Sequence, residues 1–353
     1  MTLGFIFTFE QTGMAFWTRS PGPTWWDCME SLNPCIQPPY GLCNSNLLRR
    51  THSSALGKGL HLIPLQAKHA EVMANFLKHH FTIYPRSRIT LTKDRIYQGF
   101  ARDQWIGVGI FTVEKHLVAC CISKPLGRMK FSHEILDQGG VVDYFCVHKD
   151  YRKRGLATFL LDELIVLTAQ KERNVHIFLK EGFPLWSLPP LYTSSYIARM
   201  KKTPGEAQEH FGPMGIGTHG YIQSYTHADF LPLTKFVANL PYELTGDSEL
   251  FGFNYRGHDI FLCMTDLHHC SVPDGKRIGE LSWILPKTVE VPLSIQKLAV
   301  ETCVDSSKYD IVIMDHKIPH EKSNSWQKDA SFSWYIFNYN PGTFFSAKPY
   351  WIF

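Results

Sequence analysis

The chain has 353 residues, of which 44% are hydrophobic and 19% are charged. This composition excludes an intrinsically disordered chain and predicts a core large enough for one large domain or two ordinary ones. Lysine and arginine number 36 against 32 aspartates and glutamates, so the formal net charge is only +4. Such a balance excludes nucleic-acid binding through bulk charge, and any anion site must therefore be local.

Targeting and redox features of the sequence indicate a soluble protein of the cytoplasm. No apolar run approaches the roughly 20 residues that a transmembrane segment needs, and the opening MTLGFIFTF lacks the basic region and cleavage site of a secretory signal. The nine cysteines include the adjacent Cys120 and Cys121 but have no zinc-ribbon spacing, so we expect reduced thiols. The cluster His268, His269 and Cys270 has no second ligand pair, and we expect no metal there.

Hydrophobic periodicity in the first half predicts alternating helices and strands. Four leucines at helical spacing, Leu156, Leu160, Leu164 and Leu167, mark an amphipathic helix. A polar stretch extends from about residue 80 to about 104. The predicted elements are a helix at 70–79, a hairpin at 105–113 and 117–123, a strand at 141–147, the leucine-rich helix and a strand at 174–179.

The second half repeats this order of elements without any repeat of residues. The predicted elements are a helix at 230–240, strands at 250–255, 259–264 and 279–285, a helix at 294–304, and strands at 309–314 and 332–339. The shared order predicts two related halves packed as one unit.

The segment VVDYFCVHKDYRKRGLATFLLDEL, residues 141–164, is typical of an anion site. A buried strand ends there, and a basic turn containing Gly155 opens the leucine-rich helix. Unpaired N–H groups and the positive end of the helix dipole favour a phosphate at such a helix N-terminus. A solvated basic turn that only caps the helix is the alternative reading. The turn residues are Arg152, Lys153, Arg154, Gly155 and Leu156.

The pattern Arg-x-x-Gly-x-Ala after a strand resembles the pyrophosphate-binding turn of the GNAT acyltransferase superfamily, which holds the diphosphate of an acyl-CoA. The residues Tyr144-Phe145-Cys146-Val147-His148-Lys149 resemble, more narrowly, the N-myristoyltransferase signature Asn-Phe-Leu-Cys-Val-His-Lys, which runs into Arg-Ser-Lys-x-Leu-Ala-Pro. The chain alters that signature: among other changes, Asp143 replaces Asn, Phe145 replaces Leu and Thr158 replaces Pro.

Three other segments resemble the same family. Phe16-Trp17 begins a stretch similar to the family's Phe-Trp-x-Thr-Gln-Pro-Val-Pro, whose Phe-Trp backbone touches CoA. Gly182 and residues 193–199 resemble its Gly-to-Thr-Cys-Arg-Tyr-Trp-His-Arg segment, and residues 335–339 resemble its Tyr-Leu-Tyr-Asn-Trp. The matches follow the family's order over almost the whole chain.

The resemblance implies a direct transfer from CoA to an amine, with these residues in named roles. The C-terminal carboxylate of Phe353 takes the proton from the amine, which has a pKa of about 8, and the backbone N–H groups of Phe145 and Cys146 stabilise the oxyanion. Because no acyl-enzyme is needed, Cys146 is expected to be a buried strand residue, and His148 a structural one. The implied acyl-CoA contacts are Phe16, Trp17, Tyr144, Phe145, Cys146, Val147, Arg152, Lys153, Arg154, Gly155, Leu156, Ala157 and Thr158.

The resemblance weakens on the acceptor side. The family's second signature, Lys-Phe-Gly-x-Gly-Asp-Gly, is replaced by residues 325–331, which contain no glycine, and its acidic loop is replaced by the basic HHFTIYPRSR after Lys78. The second half has Pro286-Lys287-Thr288 where an anion turn would stand, so we expect one acyl-CoA per chain. CoA binding is thus better supported than peptide recognition.

We therefore predict an α/β (α+β) fold in which two GNAT-like halves form one saddle-shaped mixed sheet with flanking helices. The predicted parts are an arm at 1–58, an acyl-CoA half at 59–205 and an acceptor half at 206–353. The expected function is N-myristoyltransferase-like transfer of a fatty acyl group to the N-terminal glycine of a peptide or protein by a monomer without a metal. The alternatives are a GNAT acetyltransferase acting on a small amine or lysine, and an acyl-CoA-binding pseudoenzyme.

Overall fold

The computed structural model describes residues 41–42, 56–57, 59–81, 87–130, 135–182, 190–202, 221–225, 247–272, 274–288, 290–337 and 339–340. The helices in these ranges are α1 (Ala70–His80), α2 (Lys93–Ala101), α3 (Leu156–Ala169) and α4 (Leu293–Ser306). Short 3-10 turns lie at Ala67–His69 and Lys149–Tyr151.

The strands begin with β1 (Gly41–Leu42), β2 (Leu60–Leu65), β3 (Ser87–Ile89), β4 (Ile106–Thr112), β5 (Leu117–Lys130), β6 (Ile135–Val147), β7 (Val175–Glu181) and β8 (Tyr192–Met200). They continue with β9 (Tyr221–Tyr225), β10 (Ser248–Tyr255), β11 (His258–Ser271), β12 (Arg277–Pro286), β13 (Ile311–Asp315), β14 (Gln327–Phe337) and β15 (Tyr339–Asn340). The α+β class with a large mixed sheet and flanking helices confirms the predicted fold class.

Most predicted elements that fall on described residues are present, with extended ends. The hairpin is β4 and β5, the third strand is β6, and the leucine-rich helix is α3. The sequence prediction missed helix α2 and strands β2, β3, β8 and β9. The predicted helix at 230–240, the arm at 1–58 except for a few residues, and the boundary at 205/206 lie outside the described residues.

Two compact units are present, and the first comprises Met1–Phe81, Leu91–Tyr192 and Ser333–Ser346. Its strand order is β2-β4-β5-β6-β7, followed by residues 333–337 of β14. Strands β2, β4, β5 and β6 are antiparallel neighbours, whereas β6 and β7 are parallel. Because α3 connects β6 to β7, this unit contains a strand–helix–strand crossover.

Helix α3 forms the core of this unit because its leucines lie on one face. Leu156, Leu160 and Leu164 are buried against Val108 and Ile110 of β4 and their neighbours on β5. Leu161 and Ile165 pack on another set of buried residues, Phe178, Tyr335 and Phe337. The N-terminus of α3 is therefore fixed to the sheet by Leu156, directly after the basic turn.

The second unit comprises Thr82–Thr90, Thr193–Phe332 and Ala347–Phe353. Its strand order is β8-β13-β12-β11-β10-β9, and β3 pairs with β11. Helix α4 buries Ala299, Val300, Cys303 and Val304 in the core of this unit.

A buried charge cluster fixes α4 to β8. The guanidinium of Arg199 is fully buried and pairs with both Glu301 and Asp305, one turn apart on α4. Trp326 donates its indole N–H to Glu301 at 2.9 Å and lies beneath the Arg199 guanidinium. Because removal of one member leaves an uncompensated buried charge, the cluster constrains how α4 docks in this unit.

Candidate functional site

Strand β6 contains a bulge at Tyr144. Cys120 of β5 pairs with Cys146, but the next paired residues are Ile122 and Asp143, so β6 has one extra residue in this step. Tyr144 has a left-handed backbone with φ of 47°, which is unfavourable for a bulky residue. Bulges of this kind re-aim the backbone groups that follow them.

The Tyr144 side chain is buried beneath the bulge. Its ring packs on Trp105 at 5.9 Å and on Phe81 at 6.0 Å between centroids. Its carbonyl oxygen accepts a weak hydrogen bond from Cys120 Sγ at 3.7 Å. The carboxylate of Asp143 accepts the Tyr144 N–H at 2.7 Å. Side-chain contacts therefore fix the unusual backbone conformation.

The parallel strands β6 and β7 separate just before this bulge. Their paired register extends from Gly139 opposite Val175 to Val142 opposite Phe178. In the described part of both strands no paired step follows, although β6 continues to Val147 and β7 to Glu181. A gap thus opens between two neighbouring strands at the point where the bulge redirects β6.

The basic turn after β6 presents a run of backbone N–H groups. Lys153 and Gly155 both have positive φ values, of 63° and 75°, and α3 begins at Leu156. The first N–H groups with acceptors in this helix are those of Thr158 and Phe159, which donate to Gly155 O. Within the described chain, the N–H groups of residues 153–157 have no backbone acceptor. Such a run of donors favours an anion.

Three cations surround these donors. Arg152, Lys153 and Arg154 are exposed. Arg152 Nε donates to Val147 O at 3.0 Å, which holds its guanidinium at the end of β6, and the Arg154 guanidinium lies 4.9 Å from the Tyr151 ring centroid. A Cβ at Gly155 would meet no atom of the described residues within 4 Å.

Two histidines, His80 and His148, lie beside the turn. His148 Nδ1 accepts the Asp150 N–H at 3.2 Å, and its ring lies 4.2 Å from that of His80. Burial lowers the pKa of His80, and the charges of His148 and the nearby basic residues lower it further. His80 was not predicted as a site residue, because only the docking of α1 brings it beside this turn.

The thiols behind the bulge are protonated and buried. Burial raises the pKa of Cys146 to about 12, although the charge of Arg152 opposes this rise. Burial also raises the pKa of Cys120 and Cys121. A thiol with so high a pKa is a poor nucleophile at neutral pH, because the thiolate is the reactive form.

A buried polar cluster under β6 was missed by the sequence analysis. His176 is fully buried, its Nε2 lies 3.1 Å from Ser123 Oγ, and its Nδ1 has no partner among the described residues. Arg173 donates to the Ser123 carbonyl at 3.1 Å. A Cβ on Gly140 would come within 2.7 Å of these three side chains, so only glycine fits there. Burial and the Arg173 charge lower the pKa of His176 to about 3.

The structure brings two groups of predicted site residues together on one strand–turn–helix segment. Tyr144 and Cys146 are buried at the end of β6, with Phe145 and Val147 half-buried beside them. The turn residues lie where β6 leads into α3, whose first turn contains Leu156, Ala157 and Thr158. Phe16, Trp17 and Phe353 lie outside the described residues.

The described ranges contain no group of three His, Cys, Asp or Glu side chains placed to hold a metal. His268 Nε2 instead pairs with Asp247 at 2.8 Å. No helix in the same ranges is long and apolar enough to cross a membrane.

Comparisons with known proteins agree with this geometry. Residues 74–182 match the model of the acetyltransferase (GNAT) family, a range that contains both the bulge and the turn. No curated protein sequence matches the chain significantly.

Solved structures of N-myristoyltransferase have a similar fold. The chain is similar to Saccharomyces cerevisiae N-myristoyltransferase with bound myristoyl-CoA, with a TM-score of 0.66 and 12% identity over 95% of this chain and 93% of that one. A second structure of that protein with bound myristoyl-CoA has a TM-score of 0.65 and 12% identity, over 96% of this chain and 89% of that one. A third, with bound myristoyl-CoA and inhibitors, has a TM-score of 0.65 and 12% identity, over 95% of this chain and 90% of that one. The chain therefore contains a region that matches the acetyltransferase (GNAT) family at residues 74–182, and its fold is similar to that of N-myristoyltransferase.

Proposed function

We propose that this acyltransferase transfers a myristoyl or similarly long acyl chain from CoA to the N-terminal glycine amine of a peptide or protein. The observation that carries the proposal is the continuous segment of residues 143–158, in which a strand bulge, a run of free N–H donors and a helix N-terminus follow one another. These are the groups that an acyl-CoA thioester and its diphosphate require.

The turn is proposed to bind the diphosphate of acyl-CoA. Its N–H groups at residues 153–157 have no competing backbone acceptor within the described chain, and its three cations are exposed. Charge-assisted bonds from guanidinium and backbone groups to phosphate are stronger than neutral ones. Phe16 and Trp17 are proposed to contact the same ligand through their backbone, and Val147 and Leu156 to Thr158 to line its path.

The thioester is proposed to lie in the gap between β6 and β7. There the N–H group of Phe145 would donate to the carbonyl oxygen as it becomes an oxyanion, whereas Cys146 is paired with Cys120 across β5 and β6. Donors fixed in place before the reaction stabilise that charge without any cost of reorganisation in the transition state. The bulge at Tyr144 supplies this fixed direction.

The chemical step is a direct transfer. The acceptor amine loses a proton to a base, and its lone pair attacks the thioester carbonyl to form a tetrahedral intermediate. Collapse of that intermediate breaks the C–S bond and releases CoA thiolate, which takes up the proton that the attacking nitrogen loses as the amide forms. The high pKa of Cys146 supports a route without an acyl-enzyme.

The proposed base is the carboxylate of Phe353, on the resemblance to N-myristoyltransferases. A carboxylate in an apolar site becomes a stronger base, which suits the apolar residues PYWIF. Extension of the chain by a few residues beyond Phe353 should abolish turnover and leave acyl-CoA affinity unchanged. Normal kcat in the extended protein would remove Phe353 from the mechanism.

Transfer itself is tested by incubating the protein with myristoyl-CoA and a glycine-initiated peptide, and by following the peptide mass and the released thiol. The matched control is the same peptide with an acetylated N-terminus, which has no free amine. Acylation of the first peptide alone supports the proposal. Acetyl-CoA as the preferred donor, or acylation of lysine, indicates an acetyltransferase instead, and binding of acyl-CoA without transfer to any amine indicates a pseudoenzyme.

A further inference from the structure

Two histidines from different elements meet beside the basic turn. His80 is the last residue of α1, and His148 directly follows β6. Their ring centroids lie 4.2 Å apart, and the His148 ring packs edge-on against Tyr151 at 5.7 Å. The Arg154 guanidinium lies 4.9 Å from the centroid of the same Tyr151 ring. Ring contacts therefore connect the histidine pair to the basic turn between β6 and α3.

A backbone contact restrains one histidine of the pair. His148 Nδ1 accepts the Asp150 N–H at 3.2 Å and so caps the 3-10 turn at Lys149–Tyr151. A ring nitrogen that accepts a hydrogen bond carries no proton, so this contact places the proton of neutral His148 on Nε2. Protonation of Nδ1 would break the capping bond. No such bond restrains His80, whose ring nitrogens have no hydrogen-bond partner among the described residues.

Most of the charge around His80 is positive. The charged groups that face the histidine pair, of which one is acidic, are His79, Lys149, Asp150 and Arg152. Burial lowers the pKa of His80 below its usual 6.5, and the charges of His148 and the basic groups lower it further. The Asp150 carboxylate lies 3.7 Å from His148 Nδ1 and is 68% exposed, so water screens its charge. His80 is therefore mainly neutral at pH 7.

A bound phosphate would reverse this balance of charge. Negative charge within about 4 to 6 Å of an imidazole favours its protonated form. Part of the positive field on His80 comes from Arg152, whose Nε donates to Val147 O at 3.0 Å. An anion on this guanidinium therefore acts on His80 as well, and His80 has ring nitrogens available to donate to it.

We propose that His80 takes up a proton when acyl-CoA binds at the turn, and that its imidazolium then binds a phosphate group of this ligand together with Arg152. The inference rests on the proposed function, because it takes acyl-CoA as the ligand of the turn. The phosphate group is either the diphosphate or the 3′-phosphate of CoA. His80 acts on ligand affinity and takes no part in the chemical step.

Proton uptake by His80 makes acyl-CoA affinity depend on pH. The pKa of His80 is below 6.5 in the free protein and is raised in the complex. The contribution of His80 to affinity is therefore absent above the pKa of the complex, grows as the pH falls through it and levels off below the pKa of the free protein. Lower pH thus strengthens binding through His80.

Matched variants isolate this contribution. His80→Gln removes the titrating group and keeps a polar side chain at the end of α1, and His61→Gln removes an exposed histidine of β2 in the same unit. Calorimetric titration with myristoyl-CoA at about pH 5.5 and about pH 8 gives the affinity of each protein. The 3′-phosphate of the ligand itself titrates near about pH 6, but it does so equally for all three proteins. The ratio of native to variant affinity therefore reports His80.

The native protein should bind myristoyl-CoA about 3- to 10-fold more tightly than His80→Gln at the lower pH, and within about twofold of it at the higher pH. His61→Gln should match the native protein at both. The same ratio of native to His80→Gln affinity at the two pH values would overturn the proposal.

Myristoyl-CoA without its 3′-phosphate identifies the phosphate group. If the pH-dependent ratio persists with this ligand, His80 binds the diphosphate. If the ratio depends on pH only with the complete ligand, His80 binds the 3′-phosphate. Both results support the proton-linked contact.

NMR of the histidine rings tests the inference without any variant. The pKa of His80 in the native protein should be higher with saturating myristoyl-CoA than without it. An unchanged pKa would overturn the inference and leave only a packing contact between the two rings. Neither measurement needs turnover. Binding of acyl-CoA without acylation of any amine would contradict the proposed transfer alone, and binding with an unchanged His80 pKa would contradict this inference alone.

Discussion

Lys153 and Gly155 both have left-handed backbones, and they lie on either side of Arg154 in the turn between β6 and α3. Two such residues so close together bend the chain sharply, directly before α3 begins at Leu156. Nests of this kind bind anions. The turn therefore requires positive φ values at Lys153 and Gly155 in addition to its basic side chains.

Gly155→Ala should destabilise the protein by about 1 kcal/mol, since alanine in the left-handed region pays a conformational penalty. No atom of the described residues lies within 4 Å of the added Cβ, so the expected loss comes from the backbone conformation. Gly155→Asn should recover part of the loss, because asparagine tolerates this region. Urea unfolding measures both effects.

The control for this change is Gly257→Ala. Gly257 has φ of 80° and equally open surroundings, but it lies in the turn between β10 and β11. Both alanine variants should lose similar stability, whereas acyl-CoA affinity should fall only in Gly155→Ala. Equal affinity in the two variants would show that the turn at Gly155 does not hold the ligand.

The cations of the turn should contribute to acyl-CoA affinity. Arg152→Ala and Arg154→Ala should each weaken binding by roughly 1.5 to 3 kcal/mol, because each removes a charge-assisted contact to phosphate. Isothermal titration calorimetry at two salt concentrations measures the loss of acyl-CoA affinity and how far salt screens it. Lys171→Ala, at the other end of α3, is the control. Unchanged affinity in the double variant would mean that the turn is only a solvated helix cap.

Cys146→Ala should lower kcat by less than about tenfold, because it keeps the backbone N–H and removes only a thiol that is protonated at neutral pH. A nucleophilic cysteine would instead cost at least about 10⁴-fold on removal. Steady-state turnover distinguishes these outcomes, and intact-protein mass after mixing with acyl-CoA checks for an acyl-enzyme. A trapped acyl adduct on Cys146 would contradict the direct transfer.

Stability should depend on pH through His176. The unfolded chain binds a proton on this side chain near pH 6.5, whereas the folded protein binds one only near pH 3. The unfolded state thus holds more protons between these values, so stability falls as the pH falls below about 6.5, by up to about 1.4 kcal/mol per pH unit. The reference is His176→Gln, which lacks the titrating group. Parallel pH dependence of the unfolding free energy in both proteins would contradict the buried neutral state.

The sequence predicted the elements in which hydrophobic residues recur at helical or strand spacing. It missed the elements without such a repeat. Helix α3 was predicted because its leucines recur at helical spacing. Strand β2 was missed because only Leu65 in it is buried and it contains Pro64. Helix α2 was missed because only Ile96 and Gly99 are buried in it. Tertiary contacts rather than local pattern stabilise these elements.

The turn of the candidate site was predictable, but the arrangement around the bulge was not. Arg152 and Gly155 are close in sequence and fit an anion motif. The ion pair of Lys124 and Asp143 depends on the antiparallel register of β5 and β6, and nothing local identifies Tyr144 as the residue that takes a positive φ. His80 reaches the turn only when α1 docks. These contacts come from the topology.

The most direct measurement is a calorimetric titration of the protein with myristoyl-CoA, acetyl-CoA and CoA in parallel. The protein carries no tag after Phe353. Each buried CH₂ contributes roughly 0.8 kcal/mol, so a long-chain site should bind myristoyl-CoA at least about 100-fold more tightly than acetyl-CoA. Equal or acetyl-favoured binding would contradict the long-chain assignment, and no binding of any of the three would contradict an acyl-CoA site at the turn.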